Sequence, residues 1–289
     1  MSRIRVGISG WRYAGWRSAF YPDELPQRRE LEYASRAMQT IEINGTHYSL
    51  QTPDRFMQWR QATPRGFRFS VKGPRYLTHV LRFRDSHASR TALANFLASG
   101  LLNLQEKLGP LLWQFPPNFK FDRNILEAML ASLPHTTHEA AALAARHDGH
   151  VKDVCVKADR NRRLHHVIEV RHESFCEPDF ITMLRKHHVG LVISDSVKNW
   201  PYAEDVTSGI VYVRLHGTHT AHGGRYGDQA LDRWAERLRT WSQGREPDDA
   251  VHIMDKRGSR RAGREVYCYF DNDEKVQAPA DAQRLMEKI

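Results

Sequence analysis

Cysteine is scarce in this chain of 289 residues: Cys155, Cys176 and Cys268 are widely spaced, odd in number and without a Cys-x-x-Cys pair. That excludes a disulfide framework and a paired-thiol zinc or redox motif, and points to a reducing, cytoplasmic setting. No stretch approaches the roughly 18 consecutive apolar residues of a membrane span, so no membrane association is expected. The opening Met1-Ser2-Arg3-Ile4-Arg5 enters a short apolar strand at once, and no signal peptide is expected there. Glycine-based nucleotide and nucleophile motifs are missing too. Gly7-Ile8-Ser9-Gly10 lacks the G-x-G-x-x-G spacing, and there is neither a G-x-x-x-x-G-K-[ST] run nor a G-x-S-x-G elbow. These absences disfavour dinucleotide oxidoreductases, P-loop NTPases and α/β-hydrolases. Acidic residues are outnumbered, 34 against 43 Lys and Arg, and the net charge of +9 biases the molecule toward anionic partners.

What is present is a rhythm of short strand-like runs, most of them followed by helix-forming stretches. The runs are Ile4–Ser9, Thr40–Asn44, Phe67–Lys72, Leu111–Phe115, His166–Arg171, Gly190–Asp195, Ile210–His216 and Glu265–Asp271. Between them, Leu31–Met38, Arg55–Ala62, Ala88–Leu108, Arg123–Leu133, Asp179–His187 and Ala230–Ser242 carry apolar residues at near-helical spacing. Eight such βα units in under 300 residues give an α/β fold, a single-domain (β/α)8 TIM barrel. Two polar insertions interrupt it, at about 135–163 and 244–264. The second ends in the basic run Lys256-Arg257-Gly258-Ser259-Arg260-Arg261.

Alternation along the strands puts polar residues on one face, which the barrel reading assigns to the lumen. Glu42 and Asn44 alternate with Ile41 and Ile43. Arg68, Ser70 and Lys72 alternate with Phe67, Phe69 and Val71, and Gln114 lies between Trp113 and Phe115. Glu169 and Arg171 flank Val170, Arg214 and His216 flank Leu215, and Tyr267, Tyr269 and Asp271 alternate with Cys268 and Phe270. Isolated buried ions lose several kcal/mol of hydration, so these charges are expected to pair. They concentrate at the C-terminal strand ends, the face that carries active sites in this architecture.

Ordered blocks over nearly the whole chain carry a resemblance. They are Val6-Gly7-Ile8-Ser9-Gly10-Trp11-Arg12-Tyr13 with Trp16, Phe20-Tyr21-Pro22, and Ile41-Glu42-Ile43-Asn44-Gly45-Thr46-His47-Tyr48. Then follow Phe69-Ser70-Val71-Lys72 with Thr78-His79, Leu108-Gly109-Pro110-Leu111-Leu112-Trp113-Gln114-Phe115-Pro116-Pro117, and Glu169-Val170-Arg171-His172. The last are Tyr212-Val213-Arg214-Leu215-His216-Gly217 and Tyr267-Cys268-Tyr269-Phe270-Asp271-Asn272-Asp273. In these the chain resembles the domain-of-unknown-function family 72, the YecE-like proteins, and the resemblance implies a TIM barrel without implying an activity. The chain departs from the usual pattern at Gly45, where a serine is common, and in the length of 135–163.

Three chemistries remain open. Glu42, Glu169, Asp195 and Asp271 come from four strand ends and are the equipment of acid/base catalysis at a glycosidic bond, or equally of permanent ion pairs with Arg171 and Arg214. His79, Glu169, His172, Asp195 and His216 are metal-ligating types. No tight His motif fixes two of them, and the interleaved cations oppose a metal, so a divalent cofactor is not favoured. Lys72, Arg171 and Arg214 with His79 and His216 suit a phosphate, carboxylate or sulfate group. Trp11, Tyr13 and Tyr48, just beyond the first two strands, are placed to stack on a sugar or base, with Asn44, Gln114, His172 and Asn272 as further substrate contacts. Trp16 is expected to pack.

The leading expectation is a hydrolase or lyase acting on an anionic, sugar-containing substrate, with a phosphoester or nucleic-acid component favoured. Glu169 or Glu42 is its acid or base, Lys72, Arg171 and Arg214 hold the anion, and His79 and His216 handle protons. A non-catalytic anion or nucleic-acid binding protein and an enzyme of neutral sugars stand beside it. The oligomeric state is not legible.

Overall fold

The computed structural model describes residues 4–196, 200–217, 224–259, 261–272 and 276–289; Arg260 and Asp273, singled out above, lie outside them. Eight strands follow one another in chain order round a closed barrel. They are β1 (Ile4–Ser9), β2 (Thr40–Ile43), β3 (Arg68–Lys72), β4 (Leu108–Gln114), β5 (His166–Glu169), β6 (Gly190–Asp195), β7 (Ile210–Leu215) and β8 (Glu265–Phe270). The helices are α1 (Glu30–Ala37), α2 (Gly45–Tyr48), α3 (Pro53–Ala62), α4 (Ser86–Ala98), α5 (Arg123–Ser132), α6 (Thr137–Ala144), α7 (Pro178–Lys186), α8 (Asp228–Ser242) and α9 (Gln277–Glu287). This is the (β/α)8 TIM-barrel class expected from the sequence. The chain groups into two compact units, Met1–Glu42 with Phe175–Ile289, and Ile43–Ser174.

In the first unit β6, β7, β8, β1 and the start of β2 pair in parallel, with Arg214 opposite Tyr269 and Ser9 opposite Glu42. Gly7 permits the tightest of these approaches, since a Cβ there would lie 1.8 Å from the Thr40 carbonyl oxygen. The helices cover the strands with one apolar face each. On α8, Leu231, Trp234, Ala235, Leu238 and Trp241 fall at helical spacing and are buried. Trp16 is fully buried among Tyr13, Phe20 and Tyr21, so it packs as expected. Helix α9 carries no strong signal, because Pro279 and a polar composition mask it. Its proline lies in the first turn, where the missing N–H is no loss, and Ala278, Ala282 and Leu285 are buried.

In the second unit β3, β4 and β5 pair in parallel. The helical stretch expected over Ala88–Leu108 is broken. Helix α4 stops at Ala98, Gly100 takes φ +112°, and a 3-10 turn over Leu101–Lys107 leads into a strand that already begins at Leu108. Glycine is required at the break, because its φ lies in the left-handed region and a Cβ there would lie 2.4 Å from Pro53 Cα. The 135–163 insertion holds α6, started by a capping box between Thr136 and Glu139 that satisfies two helix-end amides. Among the described residues, 244–264 forms neither helix nor strand. No helix among the described residues is long and apolar enough to cross a membrane.

Candidate functional site

Two groups of polar side chains gather at C-terminal strand ends, one in each unit. In the first unit the centre is Arg214, on β7, with no exposed surface. Its Nε and Nη2 donate to both oxygens of the fully buried Glu42, at 3.1 and 2.9 Å, and Nη2 also donates to Asp271 Oδ2 at 2.8 Å. Ser9 Oγ donates to Glu42 Oε1 at 2.8 Å and Tyr212 OH to Oε2 at 2.7 Å. The Glu42 carboxylate thus accepts four hydrogen bonds, which fills its lone-pair sites. This is the ion pairing expected for the alternating charges, and it gives Glu42 the role of fixing Arg214. Tyr212 reaches the network because it stands two residues before Arg214, on the same strand face.

Asp271, just past β8, carries the network toward His216, whose Nδ1 lies 3.4 Å from Asp271 Oδ2. A carboxylate at Nδ1 favours the tautomer that leaves Nε2 as the proton acceptor. The Trp200 ring stands edge-on to the imidazole at 5.3 Å. Asp195 is engaged differently: its Oδ2 accepts from Tyr226 OH at 3.0 Å and Trp234 Nε1 at 3.3 Å, tying the end of β6 to α8. Asn272 Nδ2 donates to Gly224 O and Asp281 Oδ2, both at 3.2 Å, and so braces the backbone behind Tyr226. Trp11 is buried, with its carbonyl accepting from Tyr21 OH, and Tyr13 OH donates to Ser9 O at 2.7 Å.

In the second unit the centre is His79, in a π-helical turn over Tyr76–Leu81. The chain leaves that turn through two successive non-glycine residues in the left-handed region, Arg82 at φ 52° and Phe83 at φ 54°. Such strain costs about 1–2 kcal/mol per residue, and both it and π-turns gather at functional sites. Arg82 Nε donates to the His79 carbonyl at 3.0 Å, and His79 Nδ1 is 2.8 Å from Thr78 Oγ1. The His47 ring stands edge-on to His79 at 5.1 Å, and its Nδ1–H donates to Gly73 O at 2.8 Å. Thr46 Oγ1 holds the Lys72 carbonyl at 2.7 Å, so α2 fixes the end of β3. Arg171 binds the fully buried Glu169 through Nε at 2.7 Å and Nη2 at 2.6 Å.

The largest charge effects on the two imidazoles of this group come from cations, one of which, Arg171, is itself paired with Glu169. Burial, and then Lys72, Arg75, Arg171 and Arg82, depress His79 to about 4. Burial, then Lys72, with His79 and Arg75 adding less, depresses His47 to about 3 against the Gly73 hydrogen bond. Both imidazoles are therefore neutral at pH 7. Arg75 and Arg82 were not singled out in the sequence, since two arginines of a basic chain carry no distinguishing signal until the π-turn brings them to His79. Gln114 donates to Phe115 O, and His172 Nδ1 accepts from the Ser174 amide at 3.1 Å, so both are bound to their own loops. Asn44 Oδ1 is buried and has no hydrogen-bond partner among the described residues, while Tyr48 is 77% exposed. Among the described residues no three His, Cys, Asp or Glu side chains gather as a metal-binding group.

The family model described as a protein of unknown function, DUF72, matches residues 5–289. The chain belongs to the DUF72 family. Among its relatives, the UPF0759 protein YunF of Bacillus subtilis (strain 168) is 26% identical over 118 residues, 40% of this chain. The match spans only 41% of that relative's length. A solved DUF72 family protein from Thermotoga maritima MSB8 is 23% identical, with a TM-score of 0.70 over 98% of each chain. Another, from Enterococcus faecalis V583, is 18% identical, with a TM-score of 0.64 over 98% of this chain and 96% of that one. At these identities the likeness shows the fold, and for this DUF72 chain the chemistry has to be argued from its own side chains.

Proposed function

We propose that this DUF72 protein is a hydrolase or lyase acting on an anionic, sugar-containing substrate, with a phosphoester or nucleic-acid component favoured. The observation that supports this best is the group around His79, where Lys72, Arg75, Arg82 and Arg171 all act on one imidazole. In this reading Lys72 and Arg171 hold the anionic group and Arg82 fixes the strained turn. His79 is neutral, able to accept a proton from the substrate or donate one to it. An anion bound among the cations offsets their field and raises the basicity of His79, so that proton transfer is enabled by binding. His216, oriented by Asp271, is the second proton-handling group. Glu42 is reassigned from acid or base to support of Arg214, because its four hydrogen bonds would have to break before it could exchange a proton with a substrate.

A turnover screen of phosphosugars, phosphodiesters and short oligonucleotides tests the reading. Activity on a phosphorylated substrate should fall at least about a hundredfold in His79→Gln, the size of a lost proton-transfer contribution, and KM should rise in Lys72→Met. Turnover of neutral sugars alone, unchanged in both variants, would overturn it. A second reading is anion binding without chemistry, favoured by the engagement of both buried glutamates, Glu42 and Glu169, by arginines. It requires salt-sensitive binding with no turnover of any of these compounds.

A further inference from the structure

A cation-lined cavity lies at the opposite ends of the strands. A cavity of about 380 Å³ is lined by residues that precede β6, β7 and β8 and by the 244–264 segment. Five of the lining residues, Arg185, Lys256, Arg257, Arg261 and Arg264, are cations, and none is Asp or Glu. Thr207 and Ser208 add hydroxyls. Acids stand close outside the lining: Glu246 acts on Arg264, Asp248 is 3.9 Å from Arg257, and Asp205 accepts from the Met254 amide at 3.3 Å. A cavity wall this rich in cations is costly without a counter-charge.

Two of the cations are rigidly placed. Arg264 is buried, at 2% exposure, and its Nη1 and Nη2 donate to Arg245 O at 3.2 Å and Ser259 O at 2.7 Å. Its Nε is buried and has no hydrogen-bond partner among the described residues. Arg185, at the end of α7, donates through Nη1 to Lys256 O at 2.7 Å, and its Nη2 is likewise buried, with no hydrogen-bond partner among the described residues. Both guanidiniums thus hold the basic segment by its carbonyls while each keeps a donor unused, although a satisfied core arginine would spend all of them. Lys256, Arg257 and Arg261 are exposed.

We propose that this cavity binds a small polyphosphate-bearing ligand, with two or more phosphate groups, held by Arg185 and Arg264 at its base and by Lys256, Arg257 and Arg261 at its rim. The volume is at the small end of ligand cavities and suits such a compact anion. Bidentate guanidinium contacts to phosphate oxygens are the interaction this wall can make. The ligand would brace the contact between α7 and the 244–264 segment, independently of the chemistry proposed at His79.

Calorimetric titration of the full chain with inorganic tripolyphosphate tests this. Binding at this cavity should be weakened by about tenfold or more in Lys256→Ala/Arg261→Ala, the equivalent of two lost charge-assisted contacts, with any second equivalent belonging to the His79 group. Arg65→Ala/Lys120→Ala, which removes two exposed cations elsewhere, and Lys72→Met, at the His79 group, should leave it unchanged. Absence of binding, an equal loss in Arg65→Ala/Lys120→Ala, or a loss only in Lys72→Met would each overturn the proposal. The last result would place the anion at the His79 group instead.

Discussion

Replacing Arg214 by Met tests whether the Glu42 network holds the fold. Both partners are fully buried, and Arg214 makes two of the four hydrogen bonds that Glu42 accepts. Arg214→Met keeps a long apolar side chain in place but leaves the Glu42 carboxylate with only Ser9 and Tyr212 as donors, and it strips Asp271 of its cation. Removing one member of a buried pair costs about 3–5 kcal/mol, chiefly from the uncompensated charge left behind. With a urea dependence of about 3 kcal/mol per molar, the midpoint should fall by about 1–2 M. Tryptophan fluorescence follows the transition, since Trp16, Trp113 and Trp241 are fully buried. Adding Glu42→Gln removes the stranded charge and should restore at least about 2 kcal/mol of the loss. An Arg214→Met loss under about 1 kcal/mol, or a double variant as unstable as the sum of the singles, would refute the reasoning.

Three further outcomes are expected. His47 and His166, held at about 3 and about 4 chiefly by burial, stay neutral in the folded chain while the unfolded chain takes up protons below about 6.5. The unfolded state therefore binds more protons in that window, and stability falls with pH, by about 2 kcal/mol per histidine from pH 7 to pH 5; urea midpoints that stay flat over that range would contradict this. Gly7→Ala should prevent formation of the native barrel, because its Cβ would lie 1.8 Å from a β2 carbonyl oxygen, and circular dichroism showing a native-like, cooperative melt would show that β1 and β2 can part. Lys72→Met should raise the His79 pKa, since Lys72 is the foremost of the charges that depress it, and an unchanged or lowered titration midpoint by NMR would remove Lys72 from that group.

The barrel was legible because its signals are local. Strand alternation of Glu42 with Ile41 and Ile43, or of Arg214 with Val213 and Leu215, marks which face is polar, and eight repeats then close the fold. Where a local pattern gave way to packing, the reading slipped. The helix expected over Ala88–Leu108 ends at Ala98, before Gly100 at φ +112°, and the strand expected from Leu111 already begins at Leu108. The charged residues of the site were visible as types, but their engagements were not. Nothing in the sequence says that Glu42 accepts four hydrogen bonds, that Asp195 turns to Tyr226 and Trp234, or that a π-turn delivers Arg75 and Arg82 to His79. Those facts depend on which side chains the fold brings within about 3 Å of one another, and residue spacing along one strand carries no such information.

The central claim, that the cations around His79 hold an anionic substrate group and prime the imidazole, is tested most directly by NMR titration of His79 with and without a phosphomonoester such as glucose 6-phosphate. The account predicts a midpoint near pH 4 in the free protein and a higher one in the presence of the anion, with the shift abolished in Lys72→Met. A midpoint near the ordinary value of about 6.5, unmoved by the anion, would contradict it.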